Sequence, residues 1–401
     1  LEVAGANDTE MLIAVTISDE VNMIACQVAH SLFTIPTQIA RIRNQVYLNS
    51  KWRDLFSRSH VPIDVIISPE VEVARALLRR IEVPGAFNMV PFVNDKVRVI
   101  GLQLDENCPV INTPLRQLTE LFPKLQTTVV GIIRGGKIFA PRSDDTLHMG
   151  DAIYIAVETS VTERAMAVFG HEEKSAQRTI IVGGGNVGLF LAQLLEEFRP
   201  DMNLKVIEHN KDRANHIAEK LNSTIVINGD ALDREILQQA NIEQTDTIIS
   251  VADDDEVNIL SALLAKQQGC QRSITLMNNP IYANLVRSIG IDVALDPREM
   301  TVSSILRHIR RGRIRDLHSI CDGPAEILEA EVVEGADIVG KKISALKLHG
   351  VARFGLVVRG DDTIVPHADT RLEHGDRVIM VALLDAVKKI EQLFSARVET
   401  F

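Results

Sequence analysis

The sequence predicts an α/β chain of two Rossmann-like units, the first truncated, each followed by a small α+β domain. Three observations predict it. A glycine-rich turn joins an apolar strand to a helix at residues 178–188, a carboxylate closes the next strand, and the chain repeats itself at two fixed offsets. The expected boundaries are 1–83 for the remaining half of the first Rossmann-like unit and 86–170 for its small domain. The complete second unit is expected at 177–312 and its small domain at 316–399.

The glycine turn is the most informative stretch. Arg178 to Val182 reads as a strand, and Gly183, Gly185 and Gly188 fit the G-x-G-x-x-G phosphate-binding pattern. Gly183 permits the tight turn, Gly185 lets a pyrophosphate approach the backbone, and Gly188 lets helix and strand pack closely. Gly184, Asn186 and Val187 complete the loop. The helix that follows has apolar residues at Val187, Leu191, Leu194, Leu195 and Phe198, spaced for one face. Its N-terminus offers free N–H groups to an anion. The strand Leu204 to Ile207 then ends at Glu208, where a dinucleotide fold places the carboxylate that accepts from the adenosine ribose. A carboxylate there repels a 2′-phosphate, which favours NAD(H) or an adenine nucleotide over NADP.

Further along, the strand Thr224 to Asn228 ends at Gly229-Asp230-Ala231. Asp230 reads equally as an acceptor for an adenine amine and as the N-cap of the next helix. The strand from Asp246 to Val251 ends at Ala252 and Asp253, on the edge that lines the ligand crevice of a parallel sheet. Glu256 starts the next helix, where a carboxylate suits the positive dipole end.

The repeat sets the rest. Met11 to Asn22 reads on Thr247 to Asn258, with a shared Asp-Glu-Val-Asn beginning at Asp19 and Asp255. Thr16 and Ile17 therefore take the crevice position in the first copy, and Glu20 the helix start. Arg41 sits on the following strand, opposite Leu276, where it reaches toward a phosphate or nicotinamide ribose. The strand–Arg–Gly core at Arg134 recurs at Arg359, and Gly150-Asp151 recurs at Gly375-Asp376, so the small domains are copies too. Each is expected to close on a helix, near Phe169 and near Phe394. Linkers are expected at Glu82 to Gly85, Gly170 to Gln177 and Arg311 to Asp322. The offset places about 60 residues of the first copy, with its glycine loop, before Leu1.

Composition narrows the function. A formal net charge of −11 argues against nucleic-acid binding. The four cysteines, Cys26, Cys108, Cys270 and Cys321, are scattered, so neither a zinc site nor a disulfide framework is expected, and a reducing cytoplasm fits. No apolar run approaches the roughly 18 residues needed to span a bilayer, and the first residues do not read as a signal peptide. His148, His318, His349, His367 and His374 fall in the small domains without carboxylate partners, so no catalytic or metal site is expected. Arg307, Arg310, Arg311, Arg313 and Arg315 crowd one helix end, as a solvated C-terminus or a contact with an acidic partner or a membrane-protein loop.

Tandem Rossmann–small-domain pairs with these motifs resemble regulator-of-potassium-conductance (RCK, or KTN) domains. Two pairs in one chain resemble the peripheral-subunit family of bacterial Trk potassium-uptake systems. The most specific segments are Met11 to Ala29, Ala40 to Arg43, and Asp64 to Glu70. The resemblance implies no enzyme. It implies a subunit that binds NAD(H), or ATP/ADP, on Gly183 to Val187, Glu208, Asp230, Ala252 and Asp253, with Thr16, Ile17 and Arg41 in the first unit. It implies self-association into a dimer or tetrameric ring on the cytoplasmic side of the inner membrane. The implied partner is a TrkH/TrkG-like potassium-translocating subunit. The alternatives are an NAD-dependent oxidoreductase, the control module of another potassium channel or efflux system, and a purely structural assembly domain.

Overall fold

The computed structural model describes all residues except 45, 49, 123, 280, 283–285, 287–288, 310–313, 321–322 and 396–401. In chain order, the first segment runs β1 (Met11–Ala14), α1 (Asp19–Phe33), β2 (Thr37–Arg41), β3 (Val65–Ile67) and α2 (Pro69–Glu82). The first small domain is β4 (Ala86–Phe92), β5 (Val97–Gln103), α3 (Leu115–Leu121), β6 (Thr127–Arg134), β7 (Lys137–Phe139), β8 (Ala152–Glu158) and α4 (Thr162–Val168). The complete Rossmann-like domain follows: β9 (Arg178–Val182), α5 (Asn186–Phe198), β10 (Asn203–Glu208), α6 (Lys211–Ala218), β11 (Ile225–Asn228), α7 (Arg234–Gln239), β12 (Thr247–Ser250), α8 (Asp255–Gln267), β13 (Arg272–Leu276), β14 (Val293–Leu295) and α9 (Pro297–Ile309). The second small domain is β15 (Ile314–Ile320), β16 (Ala325–Glu331), β17 (Ala352–Arg359), β18 (Asp362–Ile364), β19 (Arg377–Leu383) and α10 (Leu384–Phe394).

These four segments form two compact units. Residues 1–81 and 176–309 make one, and residues 82–175 and 310–401 make the other. In the first unit the complete sheet is parallel, in the order β11-β10-β9-β12-β13-β14. This is the doubly wound order, with its switch point between β9 and β12. The strands β1-β2-β3 form a parallel three-stranded sheet equivalent to β12-β13-β14. The two sheets share helices. Val73, Ala74, Leu77, Leu78 and Ile81 of α2 are buried in one core with Ile181, Leu195, Ile274 and Leu295 of the complete domain.

The repeated Asp-Glu-Val-Asn works as a staple. Asn22 Oδ1 accepts from Thr16 N at 2.8 Å, and its Nδ2 donates to Arg41 O at 2.9 Å. Asn258 does the same with Ala252 N at 2.7 Å and Leu276 O at 3.1 Å. Asp19 accepts from the amides of Arg43 and Asn44, and Asp255 from those of Asn278 and Asn279. Each pair ties the helix start to the end of the neighbouring strand, where backbone groups would otherwise lack partners.

In the second unit both sheets are antiparallel with the same order, β4-β5-β8-β6-β7 and β15-β16-β19-β17-β18. The repeated Arg and Asp form a bidentate pair in each. Arg134 donates to Asp151 at 2.8 and 2.7 Å, and Arg359 to Asp376 at 2.8 and 2.9 Å. The sheets pack on each other through Val130, Tyr154 and Ala156 on one side and Leu356, Val358 and Val381 on the other. Gly355 is required there, because a Cβ would stand 2.7 Å from Ala156 Cβ.

Three local expectations change. The third linker is shorter than read. Ile314–Ile320 is strand β15, paired with β16, and its buried Leu317 and Ile320 were hidden in a basic run. Of that run, Arg310, Arg311 and Arg313 lie outside the described residues, as does Cys321 among the cysteines; Arg315 pairs with Glu331. On α5, Phe198 is 56% exposed, and Leu189 and Ala192 are buried in its place. Asp230 does not cap α7. Asp233 does, accepting from Glu235 N at 2.9 Å, because the turn after β11 is three residues longer than a direct cap allows.

Candidate nucleotide site

The glycine loop joins β9 to α5 at the switch point, and each glycine has its own reason. Gly183 has φ +101°, and a Cβ on it would lie 2.8 Å from Ala252 N. A Cβ on Gly188 would collide with Gly183 O at 1.9 Å, so helix and loop touch backbone to backbone. A Cβ on Gly184 would meet Ile217 at 2.5 Å. Gly185 differs: nothing lies within 4 Å of its would-be Cβ. The protein itself does not demand glycine there. Gly185 is also the N-cap of α5 and supplies no side-chain acceptor, so the first N–H groups of the helix, from Asn186 and Val187 on, carry no side-chain cap.

Glu208 ends β10 and is 6% exposed. Its Oε2 accepts from Gly184 N at 2.7 Å and its Oε1 from Asn210 N at 2.8 Å. The carboxylate is thereby fixed against the glycine loop. His209 Nδ1 stands 3.2 Å from Glu208 Oε1. Arg213, on the first turn of α6, closes the other side. It donates through Nε to Gly184 O at 2.6 Å and through Nη2 to Asn186 Oδ1 at 3.3 Å. The sequence reading missed this cation; its position five residues after Glu208, one turn into the next helix, was the available signal.

Asp230 is exposed one turn beyond β11 and accepts from Leu232 N at 2.9 Å. The strands keep it beside Glu208, since Glu208 is in register with Asn228, whose Nδ2 donates to Glu208 O at 2.9 Å. Ala252 backs directly onto Gly183, and Asp253 is exposed just beyond it. The loop, Glu208, Asp230, Ala252 and Asp253 thus gather on one sheet edge.

Thr16, Ile17 and Arg41 do not join that cluster; they lie at the equivalent edge of the three-stranded sheet. Thr16 is held by Asn22, through its N–H and its hydroxyl. Ile17 is 91% exposed. Arg41 Nε is buried with no hydrogen-bond partner among the described residues. Arg43 follows two residues on, within the same segment. Its Nε donates to Glu70 Oε1 at 2.8 Å. Glu70 foremost, with smaller help from Asp19 and Asp253, holds its guanidinium pKa above the ordinary value. Among the described residues no three metal-ligating side chains cluster, and no helix is long and apolar enough to cross a membrane.

Comparison with known proteins agrees with this architecture. The family model described as the TrkA-N domain matches residues 1–69 and 179–297, and that of the TrkA-C domain matches residues 94–170 and 327–395. The chain is 48% identical over 398 residues to the Trk system potassium uptake protein TrkA of Azorhizobium caulinodans, covering 99% of this chain and 87% of that protein. It is 38% identical to the protein of the same name from Halomonas elongata, covering 100% and 88%. Among solved structures it is similar to the GsuK RCK domain, with TM-score 0.56, 18% identity and coverage of 98% and 83%. The GsuK channel bound to NAD is similar at TM-score 0.54, 16% identity and coverage of 98% and 69%. These structural likenesses establish tandem RCK-type domains as the fold. With two TrkA-N and two TrkA-C segments and full-length relatives at this identity, the chain belongs to the TrkA family of Trk system potassium uptake proteins.

Proposed function

We propose that the chain is a nucleotide-responsive regulatory subunit of a potassium-uptake system, and not an enzyme. In this reading NAD(H) or ATP/ADP sits over the glycine loop and gates a membrane-embedded, TrkH/TrkG-like potassium-translocating subunit. The observation that carries it is Gly185: a residue whose side-chain space is empty, at the uncapped start of α5, beside the buried Glu208. A turn glycine with no steric duty in the protein keeps room for a ligand.

The residues fit an adenine dinucleotide. The N–H groups of Gly185 to Val187 suit a pyrophosphate, that of Gly184 being held by Glu208. Glu208 suits the ribose hydroxyls and disfavours a 2′-phosphate, and Asp230 suits the adenine amine. Gly183, Gly188 and Ala252 shape the floor, Asp253 borders it, and Arg213 adds a cation beside the loop. Thr16, Ile17 and the half-buried Arg41, whose Nε has no partner among the described residues, supply the corresponding edge of a first site. The names of the relatives support potassium uptake, and the NAD in the GsuK channel supports a nucleotide in this fold. Nucleotide shifts the conformational equilibrium only by its unequal affinity for the states. Two pseudo-equivalent domains per chain suit a closed dimer or tetrameric ring, held at the cytoplasmic face of the membrane by its partner.

The test is a titration of the purified chain with NADH and with ATP, comparing wild type with Glu208→Ala and Gly185→Ala, while NADH absorbance is followed for hours with carbonyl substrates present. Saturable binding is expected for wild type. Gly185→Ala is expected to lose about tenfold or more in affinity at unchanged melting temperature, and Glu208→Ala to weaken binding as well. Steady NADH consumption would overturn the non-enzymatic reading; absence of binding to either nucleotide would overturn the sensing role.

A further inference from the structure

Gly184, the buried centre of the glycine loop, is held through both of its backbone groups by the segment that follows β10. Glu208 Oε2 accepts from its N–H at 2.7 Å, and Arg213 Nε donates to its C=O at 2.6 Å. Arg213 Nη2 reaches on to Asn186 Oδ1 at 3.3 Å, at the first residue of α5. Asn210 fixes the base of that arginine: it caps α6, and its Oδ1 accepts from Arg213 N at 2.9 Å. The half-buried guanidinium is thereby pinned along the loop, beside the amides of Gly185 to Val187 that suit a phosphate.

Both acceptors of this guanidinium are neutral. Among the described residues no carboxylate pairs with it, and its Nη1 makes no hydrogen bond. Other half-buried arginines of the chain do the opposite: Arg98, Arg134 and Arg359 each pair with an aspartate. The charge of Arg213 is therefore left uncancelled in a neighbourhood that is otherwise acidic. Glu208, Asp230 and Asp253 line the same sheet edge and repel a phosphate. Among the described residues Arg213 is the one cation bonded to the loop, and a guanidinium fork matches two phosphate oxygens. Its bond to Asn186 is the longest of the set and exposed, so a phosphate oxygen displaces it at little cost.

We propose, on the footing that a nucleotide occupies this loop, that Arg213 is the residue that reads its phosphate charge. Nη1 and Nη2 meet phosphate oxygens, while Nε stays on Gly184 O. The affinity that Arg213 adds then grows with the charge of the phosphates. The site selects an adenine nucleotide with two or more phosphates over the nucleoside, which offers Glu208 the same ribose hydroxyls.

Equilibrium dialysis of the full chain with radiolabelled adenosine, AMP and ADP at low and high salt tests this, with the melting temperature as a control for folding. In Arg213→Gln, adenosine is expected to bind within about twofold of wild type and ADP about tenfold or more weaker, with AMP between them. The salt dependence of ADP binding is expected to flatten, which loss of mere loop support would not produce. Arg213→Lys keeps the charge without the fork and is expected to recover part of the ADP affinity. An equal loss for adenosine and ADP would leave Arg213 a loop support only and overturn the proposal. So would ADP binding that is unchanged in Arg213→Gln. A wild-type chain that takes up neither NADH nor ADP would overturn the nucleotide reading itself, and this role with it.

Discussion

Glu196 illustrates how much a single carboxylate can organise. It lies on α5 and accepts from the amides of Asn222, Ser223 and Thr224 and from the Thr224 hydroxyl, at 2.7–3.0 Å for the closest contacts. Burial alone would raise its pKa, but these bonds outweigh burial and bring it to about 2. The folded value lies below the unfolded one, so the stabilisation is present above about pH 4.5 and lost as pH falls toward 2. Glu196→Gln is expected to cost about 1–2 kcal/mol at neutral pH. In urea unfolding at a series of pH values, the gap from wild type should close below pH 4.5; a pH-independent gap would refute the assignment. At this scale the sequence was legible where chemistry forces a residue type. Gly183, Gly188 and Glu208 were readable because a positive φ, a backbone contact and a strand-end carboxylate each admit few alternatives. Glu196, Arg213, Asn22 and Asn258 were not, because their roles depend on amides brought from elsewhere in the chain.

At the scale of elements, α2 was placed correctly in sequence but its packing was hidden. Its apolar residues announce a buried face, yet periodicity does not say which sheet covers it. Leu77 is fully buried in the core of the complete Rossmann-like domain. Leu77→Ala is expected to cost about 2–5 kcal/mol. Hydrogen exchange should report the loss in β9 and β13 of that domain, more than 100 residues away in sequence. Protection lost only in β1 to β3 would contradict the shared core. Strand β15 was missed for the converse reason: charged neighbours obscured an alternation that the pairing with β16 decides.

For the whole molecule, the internal repeat made the architecture readable. A duplicated pattern must bury equivalent faces twice, and both sheet orders recur. What the repeat could not reveal is that like segments gather with like, Rossmann with Rossmann and small domain with small domain. Gly355 records that pairing in the small domains. Gly355→Ala is expected to cost about 1–3 kcal/mol through overpacking against Ala156 and Val130. Thermal unfolding checks it, and a compensating Ala156→Gly should recover much of the loss. The packing of α2 also bears on biosynthesis. Its apolar face leaves the ribosome about 200 residues before the last strands that cover it, and at roughly 5–20 residues per second that face waits on the order of 10–40 s. The nascent first segment therefore keeps that apolar face uncovered until translation has almost reached α9.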